Sequence, residues 1–114
     1  MTDRQLLDEF AGRRSRRAFA ALVDRHAGMV YSTCLRMLGE RPAAEQATQA
    51  SFMILARKAD RVAPGSLAGW LYKTTYDVCC RARRAEASRR GEAESDRLSE
   101  RQAVAETSYF VGGE

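Results

Sequence analysis

An all-α fold, a compact bundle of three to four helices, is what the amino-acid sequence predicts, and three observations predict it. Apolar residues recur at three- and four-residue steps along nearly the whole chain, and no run alternates apolar and polar residues as a half-buried strand would. Ala, Arg, Glu and Leu abound, whereas only 2 Pro and 8 Gly occur, so helix formers are seldom interrupted. Residues suited to starting or stopping helices, Ser15, Gly39, Pro42 and Ser66, stand between the periodic stretches. A length of 114 residues suits one domain and argues against a two-lobed enzyme or a parallel α/β fold with many crossovers.

The first helix is expected over Asp3–Ala11, burying Leu6, Leu7 and Phe10, with Gly12 ending it. Ser15 is a natural N-cap for a long second helix. Phe19, Leu22, Val23, His26, Val30, Cys34 and Met37/Leu38 then form one continuous apolar stripe, and Gly39 stands where a left-handed C-cap is wanted. Pro42 suits the first position of a third helix that runs to about Ala59 and turns Ala44, Thr48, Phe52, Leu55 and Ala59 inward. The stretch Asp60–Gly65, with Pro64 in it, is the clearest loop. Ser66 caps a fourth helix whose Leu67, Trp70, Leu71, Thr74, Val78, Ala82 and Ala85 face inward, ending near Arg90. Beyond Gly91 the apolar period fades. Residues 1–90 are therefore expected to form the domain, and 91–114 an acidic linker or tail.

Enzymatic chemistry has little to work with. His26 is the lone histidine, it falls within an apolar stripe, and no nucleophile–base or paired-carboxylate context surrounds it. Cys34, Cys79 and Cys80 show neither disulfide nor zinc spacing and read as small apolar filler in a reducing compartment. No metal or cofactor is expected. Since no run approaches the ~20 apolar residues that cross a bilayer, and the N-terminus lacks a hydrophobic signal core, a soluble cytoplasmic protein is expected, with no membrane partner.

Charge is uneven, although 19 Lys/Arg against 15 Asp/Glu leave a net +4. Residues 67–90 carry Lys73, Arg81, Arg83, Arg84, Arg89 and Arg90 against Asp77 and Glu86, whereas acids dominate 91–114. On the fourth helix, Lys73, Tyr76, Asp77, Arg81 and Arg84 fall away from the apolar stripe. They can present one face where aromatic and cationic groups alternate, suited to phosphates and unpaired bases. A solvated helix that merely keeps a small protein in solution fits the same charges. Trp70 reads as a core anchor and Tyr72 as the exposed aromatic. The Arg13/Arg14/Arg16/Arg17 cluster suits either phosphates or water. On the third helix, Gln46, Gln49, Ala50, Met53 and Arg57 form a polar, weakly charged face, open to a partner helix or to solvent.

The order of these pieces is informative. A long helix ending in Leu35-Arg36-Met37-Leu38-Gly39 precedes Gln49-Ala50-Ser51-Phe52 and Ala56-Arg57-Lys58-Ala59. A short Pro/Gly loop then leads to Leu67-Ala68-Gly69-Trp70-Leu71-Tyr72-Lys73 and the basic helix. Over residues 5–90 this resembles region 2 of the extracytoplasmic-function sigma factors of bacterial RNA polymerase, closest to the branch with a Q-A-[ST]-F signature and an A-R-K-A stretch.

The resemblance implies two surfaces. The third-helix face, here Gln46, Gln49, Ala50 and Arg57, would dock on the coiled-coil clamp of the largest catalytic subunit of core RNA polymerase. The loop Asp60–Ser66, with Asp60, Arg61 and Ser66, would hold a flipped base of the single-stranded minus-ten promoter DNA. Tyr72, Lys73, Tyr76, Asp77, Arg81 and Arg84 of the fourth helix would contact the strand. The chain departs from the common family pattern at Gln46 (Asp in many members), Ala50 (Glu in many members) and Tyr76-Asp77 (usually Arg-Asn). The residues after Arg90 are too few for the family's second, helix-turn-helix domain, so either a fragment or a single-domain protein is expected. Two functions follow as expectations: a promoter-recognition module with no catalytic centre, or a sigma-like interaction module that binds an anti-sigma factor or polymerase without reading DNA.

Overall fold

The computed structural model describes residues 1–63 and 65–112, with side chains through Gln102. The helices are α1 (Asp3–Arg13), α2 (Arg16–Leu38), α3 (Arg41–Lys58) and α4 (Leu67–Gly112), with a 3-10 turn at Ala59–Arg61. No strand occurs among the described residues, and the all-α class is as expected. Two compact units divide the chain, one spanning Met1–Ala82 and one beginning at Arg83, and α4 enters both.

The first unit holds the core. Thr2 opens α1 with a capping box, its hydroxyl accepting from the Gln5 N–H while the Gln5 side chain accepts from the Thr2 N–H at 2.8 Å. Leu6, Leu7 and Phe10 are buried, as their spacing requires. The helix does not stop at Gly12, however. It continues to Arg13, and Arg14 takes the left-handed turn at φ 52°. That conformation costs a non-glycine residue about 1–2 kcal/mol. Offsetting it, the Arg14 guanidinium lies 4.2 Å from the Phe10 ring centroid and donates to the Ala56 carbonyl at 3.1 Å.

In α2 the expected punctuation is found. The Ser15 hydroxyl accepts from the Ala18 N–H, and Gly39 closes the helix at φ 78°. Leu22, His26, Val30 and Cys34 are buried along one stripe, and Phe19 meets Phe10 with ring centroids 4.7 Å apart. His26 retains 9% exposure, with Nε2 2.9 Å from an Asp3 carboxylate oxygen; Arg25 donates to the other oxygen at 3.2 Å. This carboxylate ties α1 to α2.

Pro42 lies one position inside α3, whose N-cap Glu40 makes no side-chain cap bond. The buried face comprises Ala44, Ala47, Ser51, Phe52 and Leu55, and Thr48 is half-buried. Ala47 and Ser51, absent from the expected inner face, are small residues buried in the core, and Ser51 Oγ satisfies itself on the Ala47 carbonyl at 2.8 Å.

Ser66 caps α4 as expected, its hydroxyl accepting from the Gly69 N–H at 3.1 Å. Leu67, Leu71, Thr75 and Cys79 are buried at strict four-residue steps, with Trp70, Thr74, Val78 and Ala82 half-buried around them. Ala85, expected inside, is exposed, because the buried row of α4 ends at Cys79. Nor does α4 stop near Arg90. Gly91 disfavours helix by about 1 kcal/mol but here lies among strong helix formers, with Glu86 paired to Arg89 (2.7 Å) and Arg90 (3.2 Å).

Thr75 Oγ1 is the one buried side-chain polar atom without a partner among the described residues. Replacing the hydroxyl with a methyl group removes that desolvation cost at nearly constant volume. Thr75→Val should therefore stabilise the fold by about 1 kcal/mol, read as a raised urea midpoint with unchanged slope.

Cys34 and Cys79 are buried and Cys80 half-buried. Burial, followed by the hydrogen bond and charge of Cys34, pushes the Cys79 thiol up to about 12. A neutral thiol at that depth is a poor nucleophile, which agrees with the filler role expected for it. At pH 8 one thiol per native chain, Cys80, should react promptly with a disulfide probe. Cys34 and Cys79 should follow at the unfolding rate; prompt release from two or more thiols would contradict this burial.

Candidate nucleic-acid interface

The α4 face opposite the buried row Leu67–Leu71–Thr75–Cys79 is open to solvent. Tyr72 and Tyr76, one turn apart, keep 46% and 48% of their surface exposed, which leaves both rings accessible. Lys73, Asp77 and Arg81 run beside them at four-residue steps, all exposed. At ~100° per residue these five positions cover one half of the helix circumference. Neither Lys73 nor Arg81 joins an ion pair among the described residues, so both cations are available to an external anion. Arg84 belongs to the unit that begins at Arg83 and is exposed there.

The connection between α3 and α4 is more ordered than a plain loop. Its first residues form the 3-10 turn Ala59–Arg61, with the Ala59 side chain buried. Val62 is then buried, leaving Asp60, Arg61, Ala63 and Ser66 exposed on either side. Gly65 has φ 135°, a conformation that side-chain-bearing residues rarely adopt. Pro64, part of the expected loop, lies outside the described residues. Ser66 has two roles: it caps α4 and reaches solvent where the loop ends.

On α3 the expected face is present. Gln46, Gln49, Met53 and Arg57 are exposed along one side, Met53 at 56%, while Ala50 is half-buried between them. A large exposed methionine within a polar, weakly charged stripe suits an adaptable protein contact.

Two arginines that sequence reading left unassigned, or assigned to phosphate or water, are engaged within the fold. Arg4 Nη1 donates to the Val62 carbonyl at 3.1 Å, and Arg14 Nη1 to the Ala56 carbonyl. Both links join residues more than forty positions apart, so no local pattern signals them. Arg13, Arg16 and Arg17 remain exposed.

Exposed tyrosines beside unpaired cations on one helix suit stacking on bases and contact with phosphates, and the polar stripe on another suits a protein partner. The family model for sigma-70 region 2 matches residues 22–89, more than half of the chain. The chain belongs to the sigma-70 region 2 family. That family comprises transcription initiation factors, not enzymes, and membership implies interaction with core RNA polymerase and promoter DNA in a promoter-melting role. No curated protein matches the chain. No helix among the described residues is long and apolar enough to cross a membrane.

Proposed function

We propose that the chain is a region 2 module of the extracytoplasmic-function sigma type, acting at two surfaces. Gln46, Gln49, Ala50 and Arg57 of α3 dock on the clamp coiled coil of the largest catalytic subunit of core polymerase. The connection Asp60–Ser66, with Asp60, Arg61 and Ser66, receives a base of the non-template minus-ten strand as the duplex opens. Tyr72, Lys73, Tyr76, Asp77, Arg81 and Arg84 follow that strand.

The observation that carries this reading is the open α4 face, where half-exposed Tyr72 and Tyr76 stand beside the unpaired Lys73 and Arg81. Aromatic stacking contributes ~1–3 kcal/mol per unpaired base, and cations add counterion release on binding phosphates. Duplex DNA hides its base faces, so this combination favours an opened strand. Asp77 repels phosphate, but an unpaired carboxylate accepts from an exocyclic amino group such as that of cytosine.

Fluorescence anisotropy of the full chain with core polymerase tests the reading. A bubble oligonucleotide should bind at least tenfold more tightly than its matched duplex, and its affinity should fall steeply with salt. Arg81→Ala should reduce the logarithmic salt slope by about 0.7, the contribution of one single-strand phosphate contact. Equal affinities for bubble and duplex alongside intact polymerase binding would overturn the DNA assignment and favour a purely protein-binding module.

A further inference from the structure

We infer that Arg4 is a positioning residue that holds the α3–α4 connection in its base-receiving shape, an inference that rests on the function proposed above. Arg4 and the whole of α1 precede the stretch matched by the family model. Its guanidinium joins two partners: Nη1 donates to the Val62 carbonyl at 3.1 Å, and Nε lies 3.4 Å from the Asp8 carboxylate one turn along α1. Val62 is, after Ala59, the second point at which the connection enters the core, since its side chain is buried while Arg61 and Ala63 are exposed. Among the described residues no other side chain from outside the connection bonds to residues 59–65.

The holding element is itself anchored. Leu6, Leu7 and Phe10 are buried, and the Asp3 carboxylate engages both His26 and Arg25 of α2. From the far end of α1, Arg14 donates to the Ala56 carbonyl near the close of α3, where carbonyl oxygens carry partial negative charge. The helix and the residue that closes it thus grip a carbonyl after the turn Ala59–Arg61 and a carbonyl before it. Discriminating between bases requires a site held close to one geometry, and a loop secured only by the burial of Ala59 and Val62 would relax between and beyond them. Arg4 is itself half exposed, so losing its bond should loosen the connection without unfolding the core.

The test uses the full chain with core polymerase and four bubble oligonucleotides that differ at the minus-ten base the wild type discriminates most. Arg4→Ala should shrink the spread among the four affinities about tenfold and leave polymerase binding and the salt slope unchanged. Amide hydrogen exchange at residues 60–63 should accelerate about tenfold while α2 amides keep their rates. Arg4→Lys, which keeps the charge and a donor, should restore part of the spread. An unchanged spread in Arg4→Ala overturns the inference. So does an equal loss on all four bases with a shallower salt slope, which would make Arg4 a phosphate contact. A wild type that prefers bubbles but shows no spread also overturns it, whereas a wild type indifferent to bubble and duplex removes the proposed function beneath it.

Discussion

Replacing Tyr72 and Tyr76 together with alanine should weaken binding of the chain–polymerase complex to bubble DNA by about 100-fold, leaving matched-duplex affinity within about threefold. The magnitude follows from two stacking contacts at ~1–3 kcal/mol each, since every 1.4 kcal/mol is tenfold in affinity. Both rings keep nearly half their surface in solvent, so neither carries much of the core. Thermal unfolding of the double variant should accordingly match the wild type within about 0.5 kcal/mol. Equilibrium titrations and a melting curve on the same preparations separate the outcomes. A variant that binds bubble DNA normally would show that the open face of α4 is not a stacking surface.

Leu71→Ala acts through the other side of the same helix and should destabilise the chain by about 2–5 kcal/mol, the usual range for emptying a fully buried leucine site. Leu71 has no exposed surface and stands between Leu67 and Thr75 in the row that anchors α4. For a domain of ordinary stability that is a large share of the total, so urea titration should show a sharply lowered midpoint. Leu98, 54% exposed, is the control: Leu98→Ala should change stability by no more than about 0.5 kcal/mol. Promoter binding by Leu71→Ala should fall in parallel with the folded fraction and recover at temperatures where the variant is folded. Similar effects from the two leucine substitutions would mean that α4 is not held by this row.

Much of the molecule was legible in residue order. Ser15, Gly39 and Ser66 were identified as caps because a hydroxyl that satisfies an orphan N–H, or a glycine that tolerates positive φ, works through its immediate neighbours. The open face of α4 was legible for a related reason. Helical geometry alone separates Tyr72, Lys73, Tyr76, Asp77 and Arg81 from the Leu67–Leu71 side, and all five are exposed. The linked Gln49-Ala50-Ser51-Phe52 and Ala56-Arg57-Lys58-Ala59 stretches pointed to the family to which the chain belongs.

Other features were not legible, each because its cause lies outside the local segment. Gly12 was a reasonable stop for α1, but a stacked phenylalanine and a distant carbonyl moved the turn to Arg14. Ala85 carried the apolar period past the point where there was a core to face, and α4 continued beyond Gly91 because helix formers and ion pairs outweigh one glycine. Ala47 and Ser51 look unremarkable in a polar helix and become core only once the helices pack. The sequence by itself determined the helical class, the three cap positions and the division of α4 into a buried and an open side, since these depend on residues within one or two turns of each other. Only the tertiary structure decided that Arg4 and Arg14 bracket the α3–α4 turn and that Thr75 is left without a partner. Those outcomes depend on which groups the packed chain brings within about 3 Å, and sequence separation carries no information about that distance.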